Sequence, residues 1–239
     1  MPNISSCRIT TLGIVLTLVG MLGMPTIAMS AAFSPSSMVA WTVDTLNLVR
    51  SGDPVKGAQL NRQLECDTCH GDRGESINDT WPSLSGQPAG YTFKILKDYQ
   101  DKKLSGTSQG HLMAYIVEEM SDQDMVDVAS YFAQQKLPTA RASSVDNTAK
   151  VLDLLGDPDR LIPPCGACHG MNGEGEFPDT PALAGQSPKY LIRALNDFKL
   201  KRRHNDVYSR MRLIAAQLSD AEIAHLATYY SNMGYVAND

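Results

Sequence analysis

Cys66-Asp67-Thr68-Cys69-His70-Gly71 decides the reading of this chain, because the same spacing returns at Cys165-Gly166-Ala167-Cys168-His169-Gly170, an offset of 165 − 66 = 99 residues. Five cysteines are present; Cys7 stands near the N-terminus and the other four fill these two strings, so none is left for a structural disulfide. A C-x-x-C-H string lets two thiols add across the vinyl groups of haem and holds the adjoining imidazole where it reaches the iron. Two other uses of paired cysteines compete with this one. A redox dithiol needs no histidine, and a zinc site needs four ligands in one place. Two identical strings, each ending in histidine, favour two covalently attached haem groups.

The repeat extends well beyond the cysteines. Pro82-Ser83-Leu84-Ser85-Gly86-Gln87, followed by Tyr91, matches Pro181-Ala182-Leu183-Ala184-Gly185-Gln186, followed by Tyr190, at the same offset. Met113, Ser121-Asp122 and Tyr131 match Met211, Ser219-Asp220 and Tyr229 at 211 − 113 = 98. The one-residue difference falls in the polar stretch Asp101 to Gly110, where a loop absorbs a length change more readily than a helix. The chain therefore divides into domains at 52–138 and 148–237, joined by a small, polar linker at 139–147. Each domain is near the size at which a fold needs a staple, and a covalent haem would supply it.

Local signals within each domain are helical. Asp53 caps and Pro54 opens a helix running toward Cys66. Tyr91 to Gln100 and Tyr190 to Lys199 carry apolar residues at helical spacing. A last helix starts at Ser121 and again at Ser219, each serine followed three positions on by an acid, Asp124 and Glu222. No alternating strand pattern is present, so the fold class is all-α.

Composition is that of a globular protein, with 43% apolar and 20% charged residues among 239 and a net charge of −5. The basic residues are scattered, which excludes a phosphate-tracking face and so nucleic acid as a partner. No charge occurs from Thr10 to Val43, and Thr10 to Met29 is mostly apolar with Arg8 ahead of it, the pattern of an export segment. Small residues place cleavage after Ser30 or Ala32; an uncleaved anchor is the alternative, and it would associate the chain with a membrane. Residues 1–32 are thus a signal peptide or anchor, and the destination is the periplasm. The apolar-rich lead-in 33–51, with Met38, Val39, Trp41, Val43, Leu46 and Val49, either packs on the first domain or ties it to a membrane or partner.

The iron's sixth ligand is chosen by the repeat. Met113 lies 113 − 70 = 43 residues past the first histidine of the strings, and Met211 lies 211 − 169 = 42 past the second. Met120 is a rival, but its counterpart is Leu218, which assigns it to the core. His111, His204 and His225 have counterparts that cannot ligate, and they read as surface residues. Ligation by histidine and methionine favours ferrous iron and leaves no position for oxygen or substrate, so electron transfer without catalysis is the expectation.

These residues resemble the two-domain cytochromes c of the cytochrome c4 family, each half similar to a class I cytochrome c, from near Gly52 to near Tyr235. The resemblance implies two tandem class I domains whose haems face each other across a pseudo-two-fold interface. It also implies that the carbonyls of Pro82 and Pro181 accept the ring N–H of the haem histidines. The partners implied are redox proteins: a donor dehydrogenase or quinol-oxidising complex, and an acceptor oxidase or reductase. One departure is Gly156-Asp157-Pro158-Asp159-Arg160-Leu161-Ile162-Pro163-Pro164, whose prolines end the first helix of the second domain near Leu155. The two pockets are then not equivalent, and Arg160 is either a partner for a haem propionate or a solvated loop residue. Competing functions are a permanent cytochrome subunit of a dehydrogenase and a di-haem redox enzyme, which needs an open iron position and acid/base groups. A haem-based sensor is disfavoured, since no signalling domain accompanies the strings.

Overall fold

The computed structural model describes residues 41–104, 106, 108–141 and 147–235. Residues 1–32, expected to be a signal peptide or anchor, with the expected cleavage positions, residues 33–40 of the lead-in, 142–146 of the linker and 236–237 lie outside the described residues. The described chain is helical: α1 (Val43–Arg50), α2 (Pro54–Gln63), α3 (Cys66–His70), α4 (Ala89–Gln100), α5 (Ser108–Ile116) and α6 (Asp122–Ala133) form the first half. The second half follows as α7 (Asn147–Leu154), α8 (Gly166–His169), α9 (Pro188–Lys199), α10 (Arg210–Ala215) and α11 (Asp220–Ser231), with 3-10 turns at Pro158–Arg160 and Val207–Ser209. Among the described residues only isolated β-bridges occur, and no strand.

Capping chemistry sets the helix starts. The Asp53 carboxylate accepts from the N–H groups of Val55 and Lys56, with Pro54 at the first helical position. Ser121 and Ser219 each form a full capping box, with Asp124 and Glu222 returning bonds to the cap backbone. Helices α4 and α9 keep the 99-residue offset, while α6 and α11 keep 98, so the length change lies between them.

Two apolar cores result. Phe93, Met125, Val126, Ala129 and Phe132 are buried in the first, where α6 packs on α2 and α4. Gly57 makes the close crossing of α2 over α6 possible: a Cβ there would stand 2.0 Å from the carbonyl oxygen of Asp127. Val49 of α1 is buried in this core and Trp41 packs against it, so the described part of the lead-in belongs to the first half. Leu152, Leu191, Ile223, Leu226 and Tyr230 build the second core, and Met120 and Leu218 are both core residues.

The halves differ where prolines forced them to. Helix α7 stops at Leu154, Gly156 turns the chain at φ 68°, and the Asp157 carboxylate caps the short turn that follows. Main-chain bonds then tie the end of the second half to the junction between the halves: Ala140 N–H donates to Tyr235 O (2.9 Å) and Tyr235 N–H to Pro138 O (2.8 Å).

Candidate functional site

Helix α3 is a single turn carrying Cys66, Cys69 and His70, and it ends on Gly71 at φ 84°, a conformation that disfavours any side chain. A Cβ at Gly71 would meet Glu75 O at 2.2 Å. Gly170 ends α8 at the same φ. The glycine after each histidine thus lets the chain turn back under the string.

His70 is buried, and its Nδ1 lies 2.8 Å from Pro82 O; His169 is buried likewise, with Nδ1 2.9 Å from Pro181 O. A carbonyl can only accept, so Nδ1 carries the proton in each ring and Nε2 is the nitrogen left to bind a metal. Burial pushes both histidines down, against the smaller upward pull of the proline carbonyls, and so favours the neutral imidazole, the form that ligates iron. Burial also pushes the Cys66 and Cys165 thiols up to about 11. A dithiol redox centre works from a lowered thiol, so these two are placed otherwise.

One cavity of about 560 Å³ runs between the halves. Cys66, Cys69 and His70 line it from the first half, with Met113 of α5 in its wall. Cys165, Cys168 and His169 line it from the second, with Met211 of α10. Leu84, Leu96, Phe132, Leu183, Leu195 and Leu226 contribute apolar wall. Thr92 lies in the same lining, and its buried hydroxyl has no partner among the described residues. An apolar space with two thiols, a neutral imidazole and a thioether in each half, and an orphaned hydroxyl, suits a large flat metal macrocycle bearing polar substituents. Among the described residues no group of three or more His, Cys, Asp or Glu gathers as a metal site, which is what zinc would need.

Other sequence candidates fall elsewhere. Arg160 is not in the cavity lining; its Nη2 and Nη1 donate to Glu222 at 2.7 and 3.1 Å, and its Nε to Asp157 at 2.6 Å. The guanidinium, read from the sequence as either a propionate partner or a solvated loop residue, is engaged by carboxylates of its own half. His111 and His204 are exposed, whereas His225, expected at the surface, is half-buried on α11; none of the three lines the cavity.

Sequence reasoning passed over the polar groups joining the halves. Gln87 and Gln186 each bond to the backbone of the other half, and Lys94, Asp98 and Asn205 form a buried cross-half network. The repeated glutamine of P-x-L-x-G-Q was the available signal for the first pair. Nothing local marked the second.

The sequence profile of the cytochrome c family matches residues 54–136 and again 163–233. Cytochrome c4 of Thiocapsa roseopersicina is 32% identical over 185 residues, covering 76% of this chain and 93% of that protein. A protein named thiosulfate dehydrogenase electron acceptor, from Stutzerimonas stutzeri strain A1501, is 35% identical over 176 residues, 72% of this chain and 80% of its own length. Among solved structures, reduced recombinant cytochrome c4 from Pseudomonas stutzeri superposes with a TM-score of 0.70 at 32% identity, covering 76% of this chain and 99% of that one. A doubled haem-attachment string, two histidines held by proline carbonyls and these likenesses agree: the chain belongs to the cytochrome c4 family, two cytochrome c domains in tandem with two covalently attached haem c groups.

Proposed function

We propose that His70 with Met113, and His169 with Met211, are the axial iron ligands, that Cys66, Cys69, Cys165 and Cys168 carry the thioether bonds, and that domains 52–138 and 148–237 each hold one haem. The reading is carried by one observation: in both halves a proline-held histidine and a methionine line the same apolar cavity. When bound, haem iron supplies one-electron exchange between ferric and ferrous states. The protein's part is to hold and tune it. Pro82 and Pro181 orient the imidazoles and make them better donors, the thioethers favour the ferrous state, and the apolar wall keeps water away.

The function is electron transfer in the periplasm, from a respiratory donor to an acceptor such as a terminal oxidase. The apolar segment Thr10 to Met29 supports export. Among the described residues no helix is long and apolar enough to cross a membrane. A second reading, a cytochrome serving one dehydrogenase as its permanent partner, draws support from the relative named thiosulfate dehydrogenase electron acceptor. The net charge of −5 suits basic docking surfaces on either kind of partner.

The test is mass spectrometry and spectroscopy on the exported protein. Two haem adducts are expected, together with a methionine-to-iron charge-transfer band at the red end of the oxidised spectrum. Met113→Ala and Met211→Ala should each remove about half of that band, one ligand pair of two. Carbon monoxide binding to the unmodified ferrous protein at neutral pH would overturn the closed-shell reading. The same mass shows whether residues 1–30 or 1–32 are removed, and co-purification with a dehydrogenase separates the two partner readings.

A further inference from the structure

The two P-x-L-x-G-Q segments clasp each other across the halves. Gln186 accepts from Ser83 N–H at Oε1 (3.0 Å) and donates from Nε2 to Ser83 O (2.6 Å). Gln87 does the same to Ala182, accepting from its N–H (3.0 Å) and donating to its carbonyl (2.8 Å). Ser83 and Ala182 are counterparts in the repeat, 182 − 83 = 99, so the clasp is reciprocal. All four residues are buried. The backbone partners also fix which end of each amide is oxygen, since only an oxygen can accept from an N–H.

The N–H held by Gln186 and the carbonyl used by His70 belong to one peptide group, Pro82–Ser83. In the other half, Gln87 and His169 share the peptide Pro181–Ala182. A peptide whose N–H is bonded carries more negative charge on its oxygen, and bonds in such a chain strengthen one another in a low-dielectric interior. A stronger acceptor at Nδ1–H makes the imidazole a better electron donor through Nε2.

We propose that Gln87 and Gln186 are positioning residues that tune the haem of the opposite half, each through the peptide it clasps. The proposal rests on the reading of His70 and His169 as iron ligands. Removing the amide oxygen of Gln186 weakens the Pro82 carbonyl as an acceptor, makes His70 a poorer donor and favours ferrous iron in the first half. Removing that of Gln87 does so in the second.

The experiment is nuclear magnetic resonance on the reduced holoprotein labelled with nitrogen-15 histidine, combined with redox titration. In Gln186→Met the His70 ring N–H signal is expected to move upfield while that of His169 stays. The first-half reduction wave should also move upward more than the second-half wave, the first-half wave being identified by Met113→His, which lowers it. Gln87→Met should give the mirror pattern. Gln186→Glu keeps an oxygen for Ser83 N–H, so the His70 signal should stay or move downfield, and this variant with Gln87→Met decides the matter if Gln186→Met does not fold. The proposal is overturned if Gln186→Met moves both ring signals alike, or only that of His169, or neither. It is overturned equally if Gln186→Glu moves the His70 signal upfield as methionine does. Ring signals of His70 and His169 that carry no haem ring-current shift in the unmodified protein would strike down the reading of these histidines as ligands, and the clasp's role with it, so the two failures are told apart.

Discussion

At Glu222 two N–H groups of Arg160 hold the carboxyl down to about 2 from an ordinary 4.5, helped by the Ser219 cap and opposed by burial. A carboxyl depressed by folding binds protons more readily in the unfolded chain, so the stability it lends is full above about 4.5 and is lost as pH falls toward 2. Arg160→Gln is therefore expected to lower the urea midpoint at pH 7, with the gap from the parent protein closing through that window. Equal penalties at pH 7 and at about pH 2 would contradict the pairing. Both reduction waves should stay where they are in this variant, because the guanidinium lies outside the cavity lining. The haem strings were legible in the sequence because their chemistry is contiguous. The full engagement of Arg160 was not, because beside nearby Asp157 its second carboxylate, Glu222, lies 62 residues away, and no local pattern says which distant acid a loop arginine will find. Thr92 reads as an ordinary helix residue until the fold buries its hydroxyl in the cavity wall.

Helix α11 depends on its start, where Ser219 accepts from Glu222 N–H and Glu222 returns bonds to Ser219. Ser219→Ala should cost about 1 kcal/mol, the ordinary worth of such a cap, read from the shift in chemical denaturation midpoint. The same helix carries Leu226 and Tyr230 into the core and the cavity wall, so fraying there should also broaden signals from the second haem pocket. Helices α4, α6, α9 and α11 were readable because caps and apolar spacing are local. The shorter α5 and α10, which carry the two methionines, were located only as a stretch ahead of the last helix. Before α10, Tyr208 and Ser209 both take left-handed backbone angles, φ 57° and 58°, a choice no local residue preference favours. The Asp206 carboxylate, bonded to the N–H and the Nε of Arg212, braces that turn from its far side.

Across the whole molecule, Lys94 and Asp98 of the first half meet Asn205 of the second: Lys94 donates to the Asn205 carbonyl, and Asn205 Nδ2 to Asp98 at 2.6 Å. Burial pushes the Lys94 ammonium down and Asp98 pulls it back up. Asn205→Ala takes a donor from a carboxylate that is fully buried, at a cost of about 1–3 kcal/mol. Because the lost bond joins the halves, amide exchange at Ser83 and Ala182 should speed up with it; a penalty without faster exchange at those two amides would confine the network to one half. The repeat carried a signal for the reciprocal glutamines but none for Lys94, Asp98 and Asn205, since that network is set by three-dimensional packing and breaks the repeat's symmetry. The bonds from Tyr235 to Pro138 and Ala140 have a different kind of consequence. They hold the end of the second half against its junction with the first, so the chain enters and leaves this module at one place. Tandem copying of such a module demands no rerouting of the chain on either side, and this is the simplest topological reason why an architecture of this sort is open to growth by duplication.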